Sequence, residues 1–237
     1  MVVMITGASR GIGFETARYF ARLDNTEIFA LSRNQAGLGQ LASECAGLNK
    51  SSQVHPLVFD LDLFTREPDS LIKRLPASIG HIDILINNAG VLVNKPFLET
   101  DLDEIQKLFY TNCIAPALLI RHLMPYLGGK SVSHVVNISS MGGFQGSMKF
   151  PGLAYYSASK AALACLTECL SEEFKDSKMV FNCLALGSVQ TEMLEEAFPG
   201  YKAPLQPSEM AEFIGHFART AHKQMRGKII PVSLSNP

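Results

Sequence analysis

The chain has 237 residues, 47% of them apolar, which is enough for one sizeable core. Lys and Arg number 21 against 22 Asp and Glu, so there is no basic excess of the kind that binds nucleic acid or an anionic membrane. No apolar run is long enough to span a bilayer, the first residues already read as a strand rather than a signal peptide, and the five cysteines (45, 113, 165, 169 and 183) read as thiols of a reducing, cytoplasmic compartment.

Residues 1–6 form a short apolar strand, followed at once by GASRGIG, and residues 14–23 have helical character. A second strand covers 27–31 and closes on Ser32-Arg33-Asn34. A helix covers 35–47, with Leu38, Leu41 and Cys45 on one side. Residues 54–59 form a third strand ending in Asp60. A helix is expected over 65–75, with Pro68 near its first turn, where a missing N–H is harmless. A fourth strand at 82–86 is broken by Asn87-Asn88-Ala89-Gly90. A long helix over 101–126 starts from Asp101 as N-cap with Glu104 three residues on. Pro116 lies inside that helix and predicts a distortion after about Asn112. A fifth strand at 133–139 leads through a glycine-rich loop to a helix over 152–174. A sixth strand covers 179–184, and loop or short helix follows near 191–201. Ser208 caps a helix to about 222, and a seventh strand covers 228–232.

Strands alternate with helices, and the central strands are continuously apolar. That pattern belongs to an α/β fold with parallel strands covered on both faces and joined by right-handed crossovers. No linker or internal repeat divides the chain, so residues 1–237 read as one domain, with a substrate-side loop and short helix at about 187–206.

Gly7, Gly11 and Gly13 lie in the turn from the first strand to the first helix. Glycine there permits positive φ and close backbone approach, and a dinucleotide pyrophosphate would meet free N–H groups at this helix start. The spacing differs from G-x-G-x-x-G, and a glycine turn with no ligand is the plain alternative. A Walker loop is disfavoured, because Phe14 rather than Lys-Ser/Thr follows Gly13. Arg33 ends the second strand, where NAD sites usually carry an acid. A guanidinium there pairs with a 2′-phosphate, and Arg10 in the glycine turn can reach the same group, which points to NADP(H). The alternative is a pair of solvated turn arginines.

Further on, Ser140 and Tyr156 precede Lys160. Tyr156 and Lys160 are four apart, so on a helix they share one face about 6 Å apart along the axis. A phenol in that position donates a proton if a cation holds its pKa down. Many surface helices carry the same spacing, so the pair acquires meaning only beside a nucleotide site.

Thr6 to Gly13, Asn87 to Gly90, Asn137 to Ser140 and Tyr156 to Lys160, in this order, resemble the short-chain dehydrogenase/reductase family over nearly the whole chain. The resemblance implies a Rossmann-type, doubly wound, mainly parallel seven-stranded sheet, and hydride transfer between NADP(H) and a carbonyl or secondary-alcohol substrate. By that resemblance Tyr156 is the general acid/base, and Lys160 holds the nicotinamide ribose and lowers the Tyr156 pKa. Ser140 donates to the substrate oxygen, and Asn112 supports a water-linked proton relay. Gly7, Ser9, Arg10, Gly11, Ile12 and Gly13 would line the phosphates and adenosine side, with Arg33 beside them. Asp60 and Leu61 would meet the adenine, and Asn87, Ala89 and Gly90 would border its ribose. Val189 and Thr191 would contact the carboxamide. Tyr155 is a competitor for Tyr156, but Ser159 rather than lysine stands four residues beyond it.

Three departures from the family pattern stand out. Leu186 replaces a usual proline. Ser140 and Tyr156 are 16 apart, three more than is common, so the loop 142–151 must bulge where it borders the substrate. Ser139 therefore competes with Ser140, although strand alternation points the two opposite ways. The tail 228–237 lacks the frequent double glycine. Phe144, Met148, Phe150 and Met193 are expected to form an apolar substrate wall with Ser140 and Tyr156. No metal is expected: the histidines are scattered, and Cys165 and Cys169 lack a second ligand pair. The long helices imply, by the resemblance, a homodimer or homotetramer. A non-catalytic NADP(H)-binding scaffold of the same fold is the alternative, and bound-nucleotide epimerase or dehydratase chemistry is a further one.

Overall fold

The computed structural model describes residues 1–65, 67, 69–77 and 79–234. Seven strands form one parallel sheet: β1 (Val2–Thr6), β2 (Glu27–Ser32), β3 (Gln53–Val58), β4 (Ile84–Asn87), β5 (Ser133–Ser140), β6 (Met179–Leu186) and β7 (Ile229–Val232). They lie in the order β3-β2-β1-β4-β5-β6-β7. The helices are α1 (Gly11–Ala21), α2 (Gln35–Cys45), α3 (Leu102–Phe109), α4 (Ala115–Leu123), α5 (Ala154–Glu173), α6 (Glu192–Ala197) and α7 (Pro207–Thr220). This is the expected doubly wound, Rossmann-type α/β fold.

The two-residue period of a strand explains the layering. Val3, Ile5, Ile28 and Ala30 pack on one face of the sheet with Phe20 of α1, Leu38 and Leu41 of α2 and Ile214 of α7. Their neighbours Met4, Phe29 and Leu31 turn to the other face, against Leu119, Ile120 and Leu123 of α4. Strands buried on both sides have no polar alternation, which is why they read as apolar runs. The edge strands differ: β3 carries Pro56 and β7 carries Pro231, each missing an N–H that a further strand would need.

Several boundaries move. α1 begins within the glycine turn at Gly11 rather than at residue 14. The helix expected over 65–75 is replaced by two short 3-10 turns, Leu61–Thr65 and Ile72–Arg74. Phe59, Phe64, Leu71 and Leu75 are drawn into the core, and that packing overrides the weak helical pattern. Pro68 lies outside the described residues, as do residues 235–237 of the tail. α7 is capped by Gln206 in a capping box with Glu209, two residues ahead of Ser208. Among the described residues, no helix is long and apolar enough to cross a membrane.

The expected helix over 101–126 is present in segments. Asp101 and Glu104 form the predicted capping box at its start. α3 then passes into a π-type turn, Tyr110–Ile114, where the Ala115 N–H donates to the Tyr110 carbonyl five residues back. Pro116 follows at the start of α4. It has no N–H to offer the Asn112 carbonyl four residues back, so the α-helical ladder cannot continue through this point.

Candidate active site

The sheet order reverses between β1 and β4, so the loops after the carboxyl ends of these strands run in opposite directions there. Ligands of open α/β sheets bind at such a switch point. A cavity of about 330 Å³ lined by Val2, Glu27, His81, Asp83 and Lys130 lies instead at the amino ends of the strands, on the opposite edge of the sheet.

The glycine turn is shaped by close approach. Gly7 adopts φ +68°, and a Cβ on Gly13 would stand 2.4 Å from the Gly7 carbonyl oxygen. Thr6 locks this turn to the loop after β4: its hydroxyl accepts from the Asn88 N–H at 3.0 Å and the Ala89 N–H at 2.9 Å. Asn88 Nδ2 donates back to the Thr6 carbonyl at 3.0 Å. Below them, Asn87 donates to Asn137 at 2.8 Å within the sheet, and Asn137 donates to the buried Thr167 hydroxyl of α5 at 2.9 Å. The carboxyl ends of β1, β4 and β5 are thus fixed relative to one another by polar contacts.

On the adenosine side, the Ser32 hydroxyl donates to that of Ser9 at 2.8 Å, bringing the glycine turn to the end of β2. The Arg33 guanidinium is 4.0 Å from Asp60 and mostly exposed. Asp60 also accepts from the Asp62 N–H at 3.1 Å, and Leu61 receives the Tyr110 hydroxyl on its carbonyl at 3.2 Å. Arg10 pairs with Glu196 of α6 at 2.7 Å. Thr191 caps α6 by accepting from the Leu194 N–H at 3.2 Å, and its methyl lies 3.3 Å from where a Gly11 Cβ would be. Val189 is buried and bridges Leu205.

The predicted Ser140 ends β5, and the predicted Tyr156 and Lys160 lie in the first two turns of α5. Lys160 is 4% exposed, and its Nζ donates to the Ile138 carbonyl at 2.9 Å. Burial lowers the ammonium pKa to about 8, with the Cys183 and Cys113 thiols opposing the shift. Burial also raises the Tyr156 phenol above its ordinary value, opposed by a hydrogen bond with Ser140. The expectation that Lys160 holds the phenol pKa down is not met by this geometry, because the amine is engaged on the Ile138 carbonyl. Ser139 is buried and donates to the Lys160 carbonyl at 2.8 Å, whereas Ser140 is half-buried and accepts from the Gly142 N–H at 3.2 Å. Strand alternation thus separates the two serines as expected.

Asn112 is fully buried in the π-type turn. Its carboxamide exchanges two hydrogen bonds with the Val91 backbone and donates to the Ser159 hydroxyl at 2.9 Å. A Cβ on Gly90 would meet Asn112 Oδ1 at 3.1 Å and Lys160 Nζ at 3.2 Å, so glycine lets these two polar groups approach the same loop.

The residues expected to form the substrate wall are less uniformly placed. Phe144 and Met193 are half-buried, while Met148 and Phe150 are more than half exposed. Tyr155 points away to stack on Phe97, with ring centroids 5.0 Å apart. The added loop is tied to itself: Lys149 Nζ and the Ser147 hydroxyl both donate to the Phe144 carbonyl, at 2.7 and 2.9 Å. Asn94 links the loop after β4 to α6 and to Gly152. Its Nδ2 donates to the Ala197 carbonyl at 2.9 Å, and its Oδ1 occupies the space a Gly152 Cβ would take. Among the described residues, no cluster of His, Cys, Asp or Glu could hold a metal ion.

Sequence reasoning assigns no role to Thr6, Asn94, Ser159 or Glu196. The T-G pair that opens the turn was the available signal for Thr6. The others act across long sequence separations that no local spacing encodes.

The doubly wound sheet and the glycine turn after β1 define a nucleotide-binding α/β protein. The family model for short chain dehydrogenases matches residues 1–202. The chain belongs to the short-chain dehydrogenase family. The ketoacyl reductase HetN of Nostoc is 36% identical over 171 residues, covering 72% of this chain and 57% of that protein. Rat estradiol 17-beta-dehydrogenase 11 is 29% identical over 227 residues, 94% of this chain and 74% of that protein. This chain therefore spans little more than half the length of HetN. Among solved structures, a short chain dehydrogenase of Escherichia coli CFT073 complexed with NADPH superposes with a TM-score of 0.84 at 26% identity, covering 97% and 95% of the two chains. An NAD(P)-dependent gluconate 5-dehydrogenase of Beutenbergia cavernae with bound NADP gives 0.85 at 26% identity, covering 98% and 94%.

Proposed function

We propose that the protein is an NADP(H)-dependent oxidoreductase that interconverts a carbonyl compound and its secondary alcohol. What supports this reading is the Ser140 hydrogen bond to Tyr156 together with Asn112 and Lys160 both reaching the loop at Gly90, whose neighbour Ala89 meets Gly7 of the glycine turn. The residues fit the cofactor. The turn is held open by glycines where a Cβ would collide, the helix α1 starts there with free N–H groups, and two arginines flank the adenosine side. The complexes of the relatives with NADPH and NADP support the same choice.

Gly7, Ser9, Arg10, Gly11, Ile12 and Gly13 would hold the pyrophosphate and adenosine, with Arg33 on the 2′-phosphate and Asp60 and Leu61 at the adenine. Asn87, Ala89 and Gly90 would border the ribose, and Val189 and Thr191 the carboxamide. When bound, the nicotinamide supplies or accepts the hydride. Tyr156 gives a proton to the substrate oxygen in reduction, and its raised pKa keeps the phenol protonated and ready as the acid. Ser140, already bonded to the phenol, orients the carbonyl and donates to its oxygen as charge develops. Lys160 places an ammonium in a dry wall of the site. Asn112, through Ser159 and the π-type turn, holds the path by which the phenol is reprotonated. Phe144, Met148, Phe150 and Met193 would form the apolar side of the substrate site.

The same reading takes the chain as one catalytic domain in the cytoplasm, in keeping with its five free thiols. It takes the assembly as a homodimer or homotetramer, for which the exposed Leu102 and Ile114 of the α3–α4 region are candidate contacts. The test is NADPH oxidation against a panel of carbonyl compounds, alongside Tyr156→Phe. Turnover that falls about 10²- to 10⁴-fold in the variant, with NADPH binding retained, is expected. Tight NADPH binding with no turnover on any carbonyl would instead favour the scaffold.

A further inference from the structure

α6 is held at its carboxyl end by two contacts, one from the loop after β4 and one from the glycine turn. Asn94 donates to the carbonyl of its last residue, Ala197, at 2.9 Å. On the cofactor side, Glu196 takes the Arg10 guanidinium at 2.7 Å, between residues 186 apart in sequence. Arg10 stands in the glycine turn, next to Ser9, whose hydroxyl meets Ser32 at the end of β2. The neighbouring acids are placed differently. Glu195 is engaged by Gln190 Nε2 and the Gly200 N–H, both at 3.2 Å. Glu192 faces the turn, with Oε2 3.5 Å from the position of a Gly11 Cβ.

Building on the NADP(H) reading above, we propose that Glu196 competes with the cofactor's 2′-phosphate for Arg10, so that this acid on α6 lowers affinity for NADP(H) relative to NAD(H). A guanidinium pairs well with either a carboxylate or a phosphate. Both anions on one exposed guanidinium would repel each other, so binding of the phosphate must displace the carboxylate. Arg10 holds the Glu196 carboxyl below its ordinary pKa, so the acid is charged and competing throughout the neutral range. NADH and 5′-AMP bring no 2′-phosphate to this place and do not meet the competition.

The experiment is a set of direct binding titrations with NADPH, NADH, 2′,5′-ADP and 5′-AMP, on the wild type, Glu196→Gln, Arg10→Ala and the double variant. All side-chain changes are at exposed positions, and circular dichroism checks the fold. Glu196→Gln is expected to tighten NADPH and 2′,5′-ADP by about two- to five-fold, the scale of an exposed ion pair. NADH and 5′-AMP should not change, and the gain should vanish in the Arg10→Ala background. An equal gain for NADH, no gain, or a gain that survives loss of Arg10 overturns the competition. A preference for NADPH that depends on Arg10 beside a silent Glu196→Gln overturns the competition alone. Absence of any preference for NADPH over NADH in both the wild type and Glu196→Gln overturns the cofactor reading with it.

Discussion

Asn112 and Val91 exchange two hydrogen bonds. The carboxamide oxygen accepts from the Val91 N–H at 2.8 Å, and Nδ2 donates to the Val91 carbonyl at 2.9 Å. One side chain thereby completes the backbone of the loop after β4, in place of a further strand. It does so from a π-type turn, which widens the helix where Pro116 interrupts the ladder.

Replacing Asn112 with leucine keeps the side chain's branched heavy-atom skeleton and removes every one of these partners. It leaves the Val91 N–H and carbonyl unsatisfied in a buried place, at a cost of about 2–4 kcal/mol. The expected result is a lower urea midpoint with an unchanged m-value, together with weaker NADPH binding, because the loop borders the ribose side. A midpoint equal to that of the wild type would mean that water replaces the carboxamide without cost.

Gly13 and Gly39 are both helical glycines, and they should respond in opposite directions to alanine. A Cβ on Gly13 meets the Gly7 carbonyl oxygen at 2.4 Å and Asn88 Nδ2 at 2.5 Å, whereas on Gly39 it meets nothing within 4 Å. Gly13→Ala must shift backbone and is expected to cost about 1–3 kcal/mol and at least ten-fold in NADPH affinity. Gly39→Ala should stabilise by about 0.5–1 kcal/mol through helix propensity, with affinity unchanged. Thermal melts and NADPH titration of the two variants decide this.

The strands were legible because burial on both faces writes an unbroken apolar run, as in Val3-Met4-Ile5. The glycine turn stood out because it joins a strand end to a helix start, whereas Asn112, Ser140, Tyr156 and Lys160 drew attention mainly through the ordered motifs that resemble the family. Residues 61–75 misled because their apolar side chains serve the core from 3-10 turns, and such turns have no strong period of their own. The direction of the Lys160 ammonium was not legible either. Helical spacing puts Lys160 beside Tyr156, but the choice of the Ile138 carbonyl depends on how α5 sits against β5. Arg10–Glu196 and Asn94–Ala197 are pure tertiary contacts of the same kind.

Lys160 makes the fold respond to alkaline pH. Its folded pKa is about 8, below the unfolded value near 10.4, because burial disfavours the ammonium. The unfolded chain then holds more protons than the native one between those values, so native stability is predicted to rise as pH increases from about 8 to 10.4. Below pH 8 the buried charge is a standing cost. Lys160→Met should therefore be more stable than the wild type at pH 7, by about 1–3 kcal/mol, and should lose the alkaline rise in urea midpoint. A variant less stable than the wild type at pH 7 would show that the bond to Ile138 outweighs desolvation.

His134 sets a second pH dependence, on the acid side and far from the chemistry. It is 1% exposed on β5, with Nδ1 2.8 Å from the Ala218 carbonyl and Nε2 3.0 Å from Asn182 Nδ2. The imidazole therefore carries its proton on Nδ1 and accepts on Nε2, which is the neutral form. Burial lowers its pKa to about 4 from the usual 6.5, and His222 nearby adds to the shift. A depressed folded pKa means that the unfolded chain takes up the proton first as pH falls. The His134 contribution is complete above pH 6.5 and is lost progressively down to pH 4, amounting to about 3 kcal/mol over that window. His134→Gln has no ionisable group, so the difference in unfolding free energy between wild type and variant should shrink as pH is lowered from 7 to 4. A difference that stays constant across that range would show that His134 is protonated as easily in the folded protein as in the unfolded chain.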